Sequence, residues 1–274
     1  METALDYTSP GPLTGVDEGD VLALESLADN PVDICRVVGS LVVEPDDVQS
    51  LNLPADRFDD NQIRSASILL QRLLALNPAR VTVAREPSER VVGTCRHFAV
   101  MSCALLRHRG IAARVRCGFA TYFQPGQSVD HWITEYRGGD ASRWIRIDSE
   151  ILGQTVLPHA DDLRPGDFLS GGEAWQAFRR GEVDAATFGV YGTENWGAAE
   201  IRGNAVKDLA ALNKVEMLPW DEWGRMTEAY DGQTGPGYDL LLDRLAEVCA
   251  SDDPAAVRAL YDHEDLRVPN HLIR

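Results

Sequence analysis

The sequence predicts an α+β fold in which a helix packs on an antiparallel sheet, and three observations carry that prediction. Apolar residues after Gly93 recur with a helical period. After Gly110 the period falls to two. Two more stretches, 130–136 and 143–148, read as strands joined by the loop-forming run 137–142.

The N-terminal third reads as helices leading up to this core. Residues 1–15 are rich in Pro, Gly and Thr and form a loose arm. A short amphipathic helix is expected over 16–28, and another over 31–41, with Ile34, Val37, Val38 and Leu41 apolar. Residues 44–54 form a link. The helix over 61–76 carries Ile63, Ala66, Leu70, Leu73 and Leu74 at helical spacing and stops at Asn77-Pro78. Asp59 and Asp60, near its start, are assigned to capping and solvation. Residues 79–92 read as a solvated polar loop that delivers the chain to the core.

The central helix opens on Gly93-Thr94-Cys95. Thr94 is an N-cap residue type, Phe98, Met101 and Leu105 form one apolar stripe, and Ala99, Cys103 and Leu106 form the next. Gly110 closes the helix. Cys95 therefore falls in the first turn, where unpaired amides and the positive end of the helix dipole favour a thiolate. Gly93 is expected to let a substrate approach the backbone. His97, two residues on, points away from Cys95 and reads as structural; His108 belongs to the helix end, and His159 has no assigned role.

After Gly110, Val115, Cys117, Phe119, Thr121 and Phe123 alternate with Arg114, Arg116, Gly118, Ala120 and Tyr122 as one strand, ended by a turn at Pro125-Gly126. The two later strands are expected to form a hairpin with Tyr136 opposite Arg143. That register sets His131 directly opposite Asp148, roughly 5 Å apart at Cβ. It sets Trp132 against Ile147 and Thr134 against Ile145 on the core face. His131, Ile133 and Glu135 share the other face with Asp148, Arg146 and Trp144. A Cys at a helix start, a His as base and an Asp orienting the imidazole suit acyl transfer through a thioester.

Beyond Glu150 the pattern is mainly helical: 172–180, 184–188, 199–212, 237–249 and 254–261, interrupted at 191–197. The stretch 191–224 mixes Trp196, Trp220 and Trp223 with charged and amide residues. Most of these read as packing, and Glu194, Trp196 and Asn204 are taken as candidates for a substrate-binding wall. Three blocks follow: residues 1–78 as the N-terminal helical part of the core, 79–157 as the catalytic core, and 158–274 as a mainly helical extension.

Composition bounds the function. The net charge of −17 over 274 residues argues against nucleic acid or an anionic membrane as partner and suits an amine or small cationic substrate. No apolar run approaches a membrane span, and the start of the chain lacks a signal-peptide pattern, so a cytoplasmic location is expected. The five cysteines (Cys35, Cys95, Cys103, Cys117, Cys249) show no metal-binding spacing; all but Cys95 read as core filler.

The residues also carry a family resemblance. Gly93-x-Cys95-x-x-Phe98-Ala99, then Leu105-Leu106-Arg107-x-x-Gly110-Ile111-x-Ala113-Arg114-Val115, then Asp130-His131-Trp132, then Trp144-x-x-x-Asp148 resembles the core of the transglutaminase-like superfamily, relatives of papain-type cysteine proteases, over Val92 to Glu150. The resemblance implies a bacterial transglutaminase-like domain protein whose catalytic triad is Cys95, His131 and Asp148. It implies an amide or thioester substrate, small molecule or peptide, with an amine acceptor or with water, and neither metal nor organic cofactor. Thr94 stands where animal transglutaminases usually have Trp near the motif, and nothing resembles their calcium loops or flanking β-domains. Fold and triad therefore transfer better than protein cross-linking. Three functions are open: acyl transfer to an amine, hydrolysis by the same triad, and a non-catalytic scaffold.

Overall fold

The structure, a computed structural model, describes residues 5–138 and 143–273. It is α+β. In chain order the elements are α1 (Pro31–Val38), β1 (Val42–Val43), α2 (Asp47–Ser50), α3 (Ala66–Leu76), β2 (Val91–Val92), α4 (Cys95–His108), β3 (Ala112–Ala120), β4 (Ser128–Arg137), β5 (Ile145–Ile147), β6 (Phe168–Ser170), α5 (Gly171–Arg179), β7 (Phe188–Gly189), α6 (Ala198–Leu212), α7 (Met226–Tyr230), α8 (Gly235–Ala250) and α9 (Pro254–Tyr261). The hydrogen-bonded order of the main sheet is β5-β4-β3-β6, with β7 on β4; β1 and β2 form a separate parallel pair. The chain divides into two compact units. One holds Asp6–Val115 and Ile133–Leu163, the other Arg116–Trp132 and the residues from Arg164 on. This division differs from the three sequence blocks because β3 and β4 each contribute residues to both units.

In the first unit, helix starts follow local chemistry. Asn30 caps α1 by accepting from the Val32 and Asp33 amides, and Ser65 caps α3 by accepting from Ile68. The Ser65 cap starts α3 later than the periodicity suggested, and 55–62 is 3₁₀ helix instead. The helix expected over 16–28 is likewise a 3₁₀ turn over Glu18–Leu24. Helices α1 and α3 pack on α4 through Ile34, Val38, Leu69, Leu70 and Leu73, all fully buried.

Two readings of this region are corrected. Asp60 is buried and bonded to Arg57 at 3.0 Å and Arg72 at 2.7 Å, so it is an internal charge hub rather than a solvated cap. The stretch 79–92 is anchored, not a free polar loop. Buried Arg85 donates to the carbonyls of Asn77 (2.8 Å) and Ala79 (2.7 Å), and Arg57 donates to those of Ser88 (2.9 Å) and Arg90. A guanidinium taken out of water must meet acceptors, and backbone carbonyls supply them here.

The β4–β5 register is shifted by two residues from the expected one: Thr134 pairs with Ile147, Glu135 with Arg146 and Tyr136 with Ile145. Buried Glu135 explains the shift, since it accepts from Arg146 at 2.9 Å and from Arg114 of β3 at 2.7 Å. The Arg137 guanidinium also stacks 4.6 Å from the centre of the Trp144 ring. A shift of two preserves the faces. It removes the direct opposition of His131 and Asp148, because continuing the ladder sets Ile133 opposite Asp148. Residues 139–142 of the connecting loop lie outside the described residues, as do residues 1–4 of the N-terminal arm.

In the second unit, β3 pairs antiparallel with β6 (Gly118 with Ser170) and β7 runs parallel to the start of β4. β3 ends at Ala120, earlier than the alternation implied, where Thr121 turns to the Asp167 carbonyl. Helix α6 is buried almost all round, and α5, α7 and α8 pack against it. Its Asp208 receives both Arg116 Nε (2.8 Å) and Nη2 (2.7 Å), plus the Cys117 amide at 3.2 Å. Both side chains are buried, so neither charge has water to fall back on. Asp208→Ala is expected to lower unfolding free energy in urea by roughly 3–5 kcal/mol, the cost of removing the carboxylate from a buried guanidinium. A loss below about 1 kcal/mol would show the pair to be dispensable.

Candidate functional site

Cys95 is the first residue of α4, and the chain is brought to it by the β1–β2 pair, where the Gly93 amide donates to the Val43 carbonyl at 3.0 Å. The helix start is closed by an unusual cap. The Thr94 amide donates to Nδ1 of His97 at 3.0 Å, so His97 fills the reciprocal role that Glu or Gln has in a capping box. His97 is fully buried, and burial, with the Arg96 charge beside it, depresses its pKa to about 3. It is neutral at working pH and holds its proton on Nε2, since Nδ1 is an acceptor. A depressed pKa contributes stability above pH 6.5 that is lost progressively as the pH falls towards 3. Gly93 serves this cap and not substrate access. A Cβ there would come 2.6 Å from Cγ of His97, so the ring occupies the space the sequence reading left for a ligand.

Cys95 is partly exposed, whereas Cys35, Cys103, Cys117 and Cys249 are buried. Burial pushes the Cys35 thiol up to about 12 and Cys117 well above its ordinary value, which keeps both protonated and inert. One thiol of five is chemically available.

Three carboxyl groups of this unit interact with one another, and one of them lies near the thiol. Asp148 is buried directly after β5; its amide donates to the Ala160 carbonyl at 2.9 Å, and its Oδ1 accepts from the Glu150 amide at 3.0 Å. A Glu150 carboxylate oxygen lies within 4.8 Å of the Cys95 sulfur. Glu44, directly after β1, is hydrogen-bonded to Glu150; burial, reinforced by Asp46, Asp47 and Asp148, pushes its pKa up to about 8. Glu44 and Glu150 were not legible as site residues. Glu44 is brought in by a two-residue parallel pairing, for which sequence offers no signal; Glu150 stands two residues after Asp148, which is the only clue to it.

In the other unit, His131 is buried on β4 with its ring edge-on to Phe123 (centroids 4.9 Å apart, 69°) and Tyr122 (6.1 Å, 84°). Asp130 precedes it on the opposite face. Burial raises the Asp130 pKa, opposed by Lys207, Asn204 and His131. Trp132 is in the core, as expected.

The three substrate-wall candidates do not line one surface. Glu194 is exposed in a turn. Trp196 is half-buried in that turn, its Nε1 donating to the Thr193 carbonyl at 3.0 Å. Asn204 is fully buried, with Nδ2 donating to Asp130 Oδ1 at 2.6 Å and to the Gly118 carbonyl at 3.1 Å. Its amide faces the protein interior and not a cleft, because α6 is buried on nearly every side.

Residues 76–149 match the family model of the transglutaminase-like superfamily. This stretch belongs to that superfamily. All of α4, β3, β4 and β5 fall within the match, and with them Cys95, His131 and Asp148. The transglutaminase-like match supports an enzyme with a cysteine-dependent catalytic function. A crystal structure of a candidate cysteine protease from Cytophaga hutchinsonii is similar at TM-score 0.36 and 16% identity, covering 60% of this chain and 45% of that one. The chain thus spans less than half the length of that protein. No curated protein matches at a significant level. Among the described residues, no helix is long and apolar enough to cross a membrane.

Glu44 provides a test of the acidic cluster. Its folded pKa of about 8 lies above its ordinary 4.5, so it is protonated in the fold where the unfolded chain is ionised. Wild-type stability should therefore fall as pH rises from 4.5 through 8. Glu44→Gln keeps the shape of the side chain but cannot ionise. It should raise Tm relative to wild type at pH 8 and lose that advantage at pH 5. Equal Tm differences at both pH values would mean that Glu44 ionises normally.

Proposed function

We propose that Cys95, His131 and Asp148 act as nucleophile, general base and orienter in acyl transfer through a thioester. The observation that carries this reading is that the single accessible thiol stands at the first position of α4, within a transglutaminase-like stretch that also contains His131 and Asp148. His131 takes the Cys95 proton. The thiolate adds to the substrate carbonyl, and the tetrahedral intermediate collapses as the imidazolium gives its proton to the leaving amine, which departs with the C–N bond's electrons. The resulting thioester passes its acyl group to a second nucleophile, with His131 again taking the proton. The Cys95 amide, at the helix start, is positioned to donate to the oxyanion.

The proposed donor is an amide or thioester of a small molecule or peptide, and the proposed acceptor is an amine. Glu150 near the thiol favours an acceptor that arrives as an ammonium ion, as does the overall charge of −17. Hydrolysis uses the same three residues with water in the acceptor's place. The proposed location is the cytoplasm.

Limiting iodoacetamide, read by intact mass between pH 5 and 9, tests this assignment. Wild type should take up one equivalent fast at low pH. Cys95→Ser should abolish that phase, and His131→Ala should slow it by roughly 10²-fold or more. Uniformly slow reaction of all thiols would dismiss the activated nucleophile. Product analysis with and without an added primary amine then separates transfer from hydrolysis: amide product only with amine present supports transfer, whereas free acid alone overturns the choice of acceptor.

A further inference from the structure

We infer that Asn204 is a positioning residue for His131, its side-chain amide tying β3 to β4 at the residue that precedes the imidazole. The inference rests on the reading above only for its effect on turnover; the geometry stands by itself.

Asn204 Nδ2 has two protons, and both are engaged: one by the Gly118 carbonyl on β3, the other by Asp130 Oδ1 on β4. Both neighbours are acceptors, which fixes the amide's orientation. Neighbouring residues of a strand point to opposite faces. A bond to Asp130 therefore holds the strand from behind while the His131 ring emerges from the front, between Tyr122 and Phe123. The point of attachment has little slack. Asn204 is fully buried, and a Cβ on Gly171, at the start of α5, would come 2.2 Å from the Asn204 carbonyl oxygen. Gly118 is itself paired with Ser170 of β6. Loss of the amide therefore frees β4 without letting another group take its place.

The carboxylate of Asp130 sits among several charged groups. Glu200 and Lys207 interact from α6, Cys117 from β3, Tyr230 from α7, and His131 from its own strand. A role for its charge and a role for its hydrogen bond must be separated, and substitution at 130 can do this. Asp130→Asn removes the charge but retains an acceptor for Asn204. Asp130→Ala removes both.

The experiment uses the full chain and reads the ring-proton resonances of His131, displaced in wild type by the Phe123 ring current, at one fixed pH. Asp130→Asn should leave these resonances near their wild-type positions. Asp130→Ala and Asn204→Ala should move them towards random-coil values and slow alkylation of Cys95 by roughly 10- to 100-fold, the range expected for a displacement near 1 Å. The idea is overturned if Asp130→Asn moves the resonances as far as Asp130→Ala does, because charge would then be the cause. It is overturned equally if both alanine variants leave them in place. Should Asn204→Ala fail to fold, the two Asp130 variants decide the matter alone. If wild-type Cys95 shows no fast alkylation, the proposed function fails, and the resonances still judge Asn204.

Discussion

A neutral histidine sealed beneath the first turn of α4 is the constraint on which the position of the proposed nucleophile depends. The amide of Thr94 would be an orphan donor at the helix start, and Nδ1 of His97 satisfies it. An acidic N3 residue would do the same while adding a negative charge beneath Cys95. The imidazole accepts the bond without a charge, so the first turn keeps its full positive potential for the thiol above it. The cap requires a residue without Cβ at 93, and it requires β2 to bring that residue in at a fixed height, which the Val43 carbonyl ensures. Gly93, Thr94, Cys95 and His97 are one unit of design, although only Cys95 carries the proposed chemistry.

Buried charge is handled by the same rule throughout. Asp60 draws in two arginines from separate segments, Glu135 takes one arginine from each neighbouring strand, and Asp208 takes the fork of Arg116. In each case an acid is buried first by its element and then matched by arginine, whose five donors can satisfy both carboxylate oxygens. These pairs fix register more than they add stability, since desolvation offsets most of the attraction. The β4–β5 ladder shows the consequence. Aliphatic residues on both strands tolerate either register, and Glu135 meeting Arg146 selects one.

This explains which parts of the fold were legible in the sequence. Helix α4, its start at Cys95, the strand after Gly110 and the C-terminal helices were readable because local periodicity and caps determine them. The faces of β4 and β5 were readable for the same reason. The register was not, because it is set by an ion pair between strands and by a loop whose length carries no definite turn signal. The buried roles of Asp60, Arg85 and Asn204 were not readable either. Each is a polar residue in a segment of mixed composition, and only the tertiary neighbours decide whether it meets water. Asn204 is the clearest case: nothing in α6's sequence distinguishes a cleft-lining amide from one that bonds inward to Gly118 and Asp130.

The acidic groups near Cys95 illustrate how environment divides identical chemistry. Glu44 and Glu150 are the same residue type and are bonded to each other, so they compete for one proton. Burial, with Asp46, Asp47 and Asp148 nearby, pushes the Glu44 pKa up to about 8 against the pull of its hydrogen bond with Glu150, which favours the ionised form. This matters for a thiolate. An ionised carboxylate within 4.8 Å opposes ionisation of Cys95, whereas a protonated one does not. The protonation of the Glu44–Glu150 pair therefore bears on any thiolate at Cys95, and Glu44 is brought in directly after a strand of two residues that a reading of the sequence gives no reason to connect with it.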